Sequence, residues 1–450
     1  MSRVCMRELL WVDPVSATAP YAREPYVLLL LSQGGMNDRW SYLARRPREV
    51  KRLEPFDAAR GFACLRDLLG PKSDWRDDGP PFQGGVVGLA AYEFGDRLEA
   101  LNLKRDPDWP DLILARYSAL LAFDHHQRRV LAVGRGEDAD EAARSAAAAR
   151  DWLNPPTTTR AVPGAGVLAT RFEREDAAGR YENAVANVTG RIAAGEIFQA
   201  NIASTWTGIL TAGTPPFAVF ARLQAQSPAP FCAYWRLPGL ALVSHSPERF
   251  VSLDAQGRVE TRPIKGTAPR AADPREDDRL RYALVASQKD RAENLMIVDL
   301  MRNDISRVCA PGSVKVPELF ALESFQSVHH LVSTVTGVLA PDRDAADLLD
   351  AAFPPGSITG APKIQAMRVI ADHEPPRGPW CGSLFWVGCD GAMDSSVLIR
   401  TAAFVETSEG WRFRASAGAG IVADSNPTAE RLETEVKISG LRRALTAPAA

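Results

Sequence analysis

The absences in this 450-residue chain narrow the field first. Only six cysteines occur (Cys5, Cys64, Cys232, Cys309, Cys381, Cys389), none in a CxxC pair, which argues against a disulfide framework and a structural zinc site. Neither sign of charge dominates: 53 Lys and Arg oppose 55 Asp and Glu, a formal charge of -2, with no basic stripe or acidic tail. Nucleic acid and membrane surfaces are therefore poor partners. Long apolar runs are missing as well. The strongest, Val27 to Leu31, is far too short for a bilayer, and the opening MSRVCMRELLWVDP interleaves charge with apolar residues where a secretory signal would build a continuous core. Together these features predict a cytoplasmic protein with reduced thiols. No repeat with a period of about 20 to 50 residues is visible, which disfavours a solenoid or propeller.

What is present is the composition of a large folded protein, with 46% hydrophobic and 24% charged residues. The first 150 residues read as short apolar runs (YVLLLLS, GGVVGLAAYEFG, LILARYSALLAF, RRVLAVG) broken by Gly, Pro and charge, a pattern of strands. A helix is predicted over 137–152, and the Pro-, Thr- and Gly-rich stretch 153–166 reads as a linker between an N-terminal segment, 1–152, and a longer one, 167–446. Beyond it, helical spacing is predicted over 181–195, 290–301, 345–352, 363–373 and 428–445. Strand-like stretches fall in neighbouring pairs, so the expected class is α+β with antiparallel sheets.

Two glycine-rich stretches invite nucleotide readings and fail them. Gly418-Ala419-Gly420 with Ala423 fits GxGxxA, but a helix opened by Ser425 or Asn426 with Pro427 follows, where a dinucleotide fold needs a second strand with an acidic residue. The run Gly356 to Lys363, GSITGAPK, lacks the Gly-Lys-Ser/Thr ending, and Pro362 removes a backbone donor. It could still hold a carboxylate through the hydroxyls of Ser357 and Thr359. Acidic pairs recur at helical spacing, Glu430 with Glu433 and Asp290 with Glu293. Such pairs serve as surface ion pairs or, on two helices facing a cleft, as a magnesium site. Lys265, in PIKGT, and Glu248, in SPER, are either solvated turn residues or groups presented to a pocket. His329 and His330 are adjacent and do not form a metal pair.

Taken together, GEIFQANIA, APFCAYWRL, SPERF, ETRPIKGTAPR, DRAENLMIVDLMRNDISRV, SVHHLVSTVTG, FPPGSITGAPK, WCGSLFWVG, MDSSVLIRTA and AGAGIVADS with AERLET resemble the chorismate-utilising enzymes from about Arg171 to Leu445. The resemblance implies an α/β sandwich of two large antiparallel β-sheets flanked by helices. Relatives that add water carry lysine where this chain has Gln199, and Gln cannot serve as that base. Anthranilate synthases typically carry Ala at the position of Lys265. Gln199 with Lys265 therefore implies the branch that converts chorismate and ammonia to 4-amino-4-deoxychorismate, toward 4-aminobenzoate and folate, with ammonia from a separate glutamine amidotransferase subunit. No nucleophile-elbow cysteine of such a subunit is visible, and no room for a fused lyase is expected after the last helix. The alternatives are anthranilate synthesis and a non-catalytic chorismate or tryptophan binder.

The resemblance also implies roles. Lys265 is the expected nucleophile and Glu248 the general acid. Mg²⁺ is expected on Glu293 and Glu433, with Asp290 and Glu430 nearby. Gln199, Thr267, His330, Ser357, Thr359, Gly360, Arg400, Gly418, Ala419, Gly420 and Lys437 are expected around the substrate. A tryptophan pocket is expected at Ser32, Asn37, Asp38, Arg39, Trp40, Pro230, Phe231 and Cys232. Departures from the family pattern are Phe385 where Gly is common, Ala200 for Val, TEVK after Glu433, and the spacing of Gln33 to Met36.

Overall fold

The computed structural model describes residues 3–33, 39–57, 61–73, 75–155, 166–177, 179–325 and 328–448. Among these residues two antiparallel sheets form, one of twelve strands and one of ten. The larger runs from Arg3–Leu10 at one edge through Leu28–Leu31, Phe231–Leu237, Leu240–Ser246, Thr401–Thr407, Gly410–Ile421 and Gln199–Ile209 to the two-residue strand Gly360–Ala361. The smaller carries Ile264–Pro269 and Val328–Val338 toward one end, Arg249–Leu253, Met393–Val397 and Ser383–Gly388 in the middle, and Glu49–Leu53 at the other edge.

Strands from both sides of the linker share each sheet. Leu28–Leu31 pairs with Phe231–Leu237 in the larger, and Gly85–Ala90 pairs with Ser383–Gly388 in the smaller. Residues 156–165 of the linker lie outside the described residues. The apolar run LILARYSALLAF is two strands, Leu112–Tyr117 in the smaller sheet and Ala119–Asp124 in the larger, and the chain changes sheets at Ser118.

One core joins the sheets face to face, with Leu28, Trp235 and Leu242 meeting Val87, Ile113 and Leu384. A second packs Val86, Leu114 and Phe385 of the smaller sheet on Ile297 and Met301 of the helix Gln288–Ser306 and on Leu348 and Leu349 of Ala345–Ala352. A third packs Leu29, Tyr234 and Phe404 of the larger sheet on Phe217 and Phe220 of Pro216–Gln226 and on Ile438 and Leu441 of Pro427–Thr446. The result is helices, sheet, sheet, helices. Trp235 is fully buried between the sheets, and its indole donates to Tyr117 Oη at 3.2 Å, so a deeply buried ring keeps its polar atom paired. Truncating it to Ala would cost about 3–5 kcal/mol.

Local chemistry starts the predicted helices. Asp344 and Asp347 form a capping box on Ala345–Ala352, and Asn426 caps Pro427–Thr446 by accepting from the Ala429 N–H at 3.1 Å. Besides the short helices Pro14–Thr18, Ala63–Leu69 and Gly95–Glu99, two longer ones were not anticipated. Pro216–Gln226 is buried around most of its surface, which erases the apolar stripe, while Pro274–Ala286 buries only Leu284 and is charged along the rest. All six cysteines are free, and no described helix is long and apolar enough to cross a membrane.

Candidate active site

A strand irregularity presents Lys265. The register of Ile264–Pro269 against Val328–Val338 shifts between Ile264 and Thr267, and Gly266 between them has φ +84°, a left-handed value that suits glycine. A Cβ at Gly266 would stand 3.0 Å from Asp290 Cβ, so the bulge is seated on the helix Gln288–Ser306. The Lys265 amine donates to the Ser357 carbonyl at 3.0 Å. Burial holds its pKa below the ordinary lysine value, assisted by Lys437, while Glu293, Glu248 and Glu433 pull the other way.

Glu248 is buried in the turn between Leu240–Ser246 and Arg249–Leu253. Its N–H donates to Ser246 Oγ at 3.2 Å, and its carboxyl hydrogen-bonds the Ser357 hydroxyl. Burial raises the Glu248 pKa, against the opposing effects of Ser357, Lys265 and Lys437. Both groups are thus pushed toward neutrality, an amine that can attack and an acid that can donate.

The wall beside them is a glycine trough. Gln199–Ile209 and Gly410–Ile421 pair with Ala200 opposite Ile421 and Ala203 opposite Gly418. A Cβ at Gly420 would lie 2.5 Å from Gln199 Nε2, and one at Gly418 would lie 2.3 Å from Asn201 Oδ1. The glycines that mimicked a dinucleotide motif are needed for the approach of two side-chain amides. Both amide atoms are buried without a hydrogen-bond partner in the protein. Ala419 points into the core on the other face of its strand. Gly360 also allows a close approach, since a Cβ there would meet the Gln199 carbonyl at 2.2 Å.

The acids lie across the cleft on two helices. Glu433 bonds Lys437 at 2.6 Å, and Lys437 also donates to the Gly418 carbonyl at 2.9 Å. Burial alone would raise the Glu433 pKa, but Lys437, Lys289 and Lys265 together hold it below the usual carboxylate range. Glu293 is raised, chiefly by burial. Glu430 is buried and accepts the Ser425 hydroxyl at 2.7 Å, which gives Ser425 a role other than the cap. Among the described residues no three acidic, histidine or cysteine side chains converge closely enough to hold a metal ion by themselves.

On the remaining side, His330 Nδ1 shares a 2.9 Å hydrogen bond with Thr267 Oγ1, and burial together with nearby Arg400 pushes its pKa down to about 4. His329 turns to Ser324 and Asp277. Arg400 is exposed, has no ion pair among the described residues, and sits at φ +50°, a strained value for a non-glycine residue. The Thr359 hydroxyl donates to the Pro355 carbonyl at 2.8 Å, so it secures the turn that carries Ser357. Lys363, from the phosphate-loop look-alike, is held by Asp304 at 2.6 Å.

Sequence reasoning missed the support under this cleft. Buried Arg377 donates to the carbonyls of Asn201 and Ile358 at 2.6 and 3.2 Å and pairs with Glu374, whose carboxylate accepts the Ala203 N–H at 2.7 Å. Glu93 accepts the backbone N–H groups of Arg377 and Gly378 at 2.6 and 2.9 Å. No local spacing signals a set that spans some 280 residues; Asn201 alone was readable, two positions from Gln199 on the same strand face.

A separate cavity of about 320 Å³ is lined by Ser32, Trp40, Pro230, Phe231 and Cys232, with Trp386, Arg249 and Glu323 completing its wall. Arg39 turns instead to Asp124 at 2.8 Å. Asn37 and Asp38 lie outside the described residues.

Lys265 and Glu248 meeting at Ser357, with acids on two helices that share Lys289, define an enzyme-like site. A family model described as chorismate binding enzyme matches residues 31–443, and the chain belongs to that family. It is 44% identical over 362 residues to aminodeoxychorismate synthase component 1 of Klebsiella aerogenes, covering 80% of this chain and 76% of that one. It is 38% identical over 451 residues to anthranilate synthase component 1 of Thermus thermophilus, covering 96% and 95%. The solved structure of anthranilate synthase component I from Streptococcus pneumoniae TIGR4 superposes with a TM-score of 0.81 at 27% identity, covering 91% of this chain and 94% of that one.

Proposed function

We propose that this chain converts chorismate and ammonia to 4-amino-4-deoxychorismate. The observation that carries the reading is Lys265, a partly buried amine with its pKa lowered, joined through Ser357 to an acid whose pKa is raised. The Lys265 amine attacks ring carbon 2 as the bond from carbon 4 to its hydroxyl breaks. Glu248 gives that hydroxyl its proton, so it leaves as water, and the resulting carboxylate recovers a proton from the lysine nitrogen. Ammonia then forms a bond to carbon 4 as the bond from carbon 2 to lysine breaks; Glu248 returns its proton to the lysine nitrogen, restoring the amine, and the new ammonium on carbon 4 passes a proton to the Glu248 carboxylate. Arg400, Lys437 and the amides around Gly418 to Gly420 hold the two substrate carboxylates, Arg400 being suited to a bidentate grip.

Mg²⁺ is the proposed cofactor, and the donor set suits it: the carboxylates of Glu293, Glu430 and Glu433 with Asp290, all hard oxygens, with the Lys289 ammonium already held between two of them. When bound, Mg²⁺ offsets the negative charge of the substrate's ring carboxylate against these acids. Ammonia comes from a glutamine amidotransferase subunit, and the 320 Å³ cavity takes tryptophan. The test is purified protein with chorismate, Mg²⁺ and ammonium. The amino product is expected, and its formation should stop with EDTA; anthranilate with pyruvate instead would overturn the reading.

A further inference from the structure

Lys289 stands where helix electrostatics disfavours it. It is the second residue of the helix Gln288–Ser306, capped by Ser287, and the N-terminal end of a helix carries partial positive charge that repels a cation. Its ammonium lies 3.9 Å from Glu293 Oε1 on the same helix and 4.0 Å from Glu430 Oε1 on the facing helix Pro427–Thr446. The other lysines beside these acids are engaged: Lys437 holds Glu433 at 2.6 Å, and Lys265 is bonded to Ser357. Among the described residues Lys289 is thus the cation paired with both Glu293 and Glu430, while Lys265 also attracts Glu293. The acid on the facing helix and its counter-ion are not equally free to move. Glu430 is 6% exposed and tied to Ser425, whereas the lysine side chain is 57% exposed on a flexible stem.

We infer that Lys289 is a resident counter-ion of this acid pair, which a divalent cation must displace. The ammonium keeps Glu293 and Glu430 together while no metal is bound and swings into solvent when one arrives. A single positive charge is exchanged for two at the moment the substrate adds its own carboxylates. Lys289 therefore weakens metal binding to the free protein and makes it depend on substrate. The inference rests on the magnesium reading above.

Calorimetric titration of Mg²⁺ into the full chain without chorismate, with melting curves in EDTA and in Mg²⁺, tests it. Lys289→Met should bind Mg²⁺ about tenfold more tightly than the wild type, the ratio two exposed ion pairs amount to. It should melt lower than the wild type in EDTA and recover in Mg²⁺, while Lys289→Arg keeps wild-type affinity. Equal affinities of wild type and Lys289→Met would overturn the exchange and leave the metal site standing. Absence of Mg²⁺ binding by both proteins would remove the metal reading and the exchange with it. A melting deficit that Mg²⁺ does not restore would mark Lys289 as a structural contact, also against the inference.

Discussion

Lys265 and Glu248 meet on a single residue: the Ser357 carbonyl accepts the lysine amine at 3.0 Å, and the Ser357 hydroxyl bonds the glutamate carboxyl. The short turn Gly356–Ile358 therefore fixes the separation of the two side chains. Its own position is secured by Thr359 on the Pro355 carbonyl and by Arg377 on the Ile358 carbonyl. Burial acts on both groups in the same chemical sense, lowering the lysine and raising the glutamate.

Lys265→Ala should abolish amination while leaving the melting temperature within a few degrees of wild type, because the removed amine makes one hydrogen bond. Glu248→Gln should lower kcat by roughly a hundred- to ten-thousandfold, the span of a lost general acid. Intact-mass spectrometry of wild type during turnover should find a substrate adduct on Lys265, and an undiminished rate in Lys265→Ala would end the nucleophile assignment.

Gly420 lies within a strand and not at positive φ, so space and not conformation demands glycine there. With Gln199 Nε2 at 2.5 Å from its would-be Cβ, Gly420→Ala must displace the end of that side chain and should destabilise the protein by about 1 kcal/mol. Shortening the opposing side chain with Gln199→Ala should recover part of that loss, a coupling that chemical denaturation of the double mutant measures. Strict additivity would show that the two residues do not contend for the same space.

What was legible in the sequence follows from how local each feature is. The pairs Asp290 with Glu293 and Glu430 with Glu433 could be read because helical spacing alone puts each on one face, and the structure brings Glu293 and Glu430 to a shared lysine. Asn426, one of the two residues read as a cap, does start its helix, since capping needs only three neighbouring residues; Asp344, not singled out in the sequence, starts Ala345–Ala352 in the same way. Lys265 and Glu248 could be singled out by turn chemistry, but not joined, since Ser357 lies 92 residues from the lysine. The crossing at Ser118 was hidden for the opposite reason: strands buried in two different sheets are both continuously apolar, and one interruption by a serine looks like none.

Tryptophan should raise the melting temperature in a concentration-dependent way, because the cavity beside Phe231 and Trp386 would bury an indole and ligand binding to the folded state alone stabilises it by mass action. Replacing Ser32, at the cavity wall, with a bulky Phe should remove the shift while amination continues. A flat titration up to millimolar tryptophan, with native mass spectrometry showing none carried through purification, would empty the assignment.

Glu93 makes stability depend on pH in a direction opposite to that of a salt-bridged acid. The carboxyl is buried, and burial pushes its pKa up to about 7 despite the N–H groups of Arg377 and Gly378 donating to it. In the unfolded chain it titrates near 4.5, so between those values the folded state binds more protons, and the slope of unfolding free energy with pH is negative. The contribution is fully present below about pH 4.5 and is lost as pH rises through about 7, up to roughly 3 kcal/mol in all. Urea denaturation of the wild type should therefore give a midpoint that falls between pH 5 and pH 8. Glu93→Gln loses one of two acceptors and should be the less stable protein at pH 5. It cannot ionise, however, so its midpoint should fall less over the same range and the two curves should converge by pH 8. Parallel curves for the two proteins would show that Glu93 does not titrate in this window.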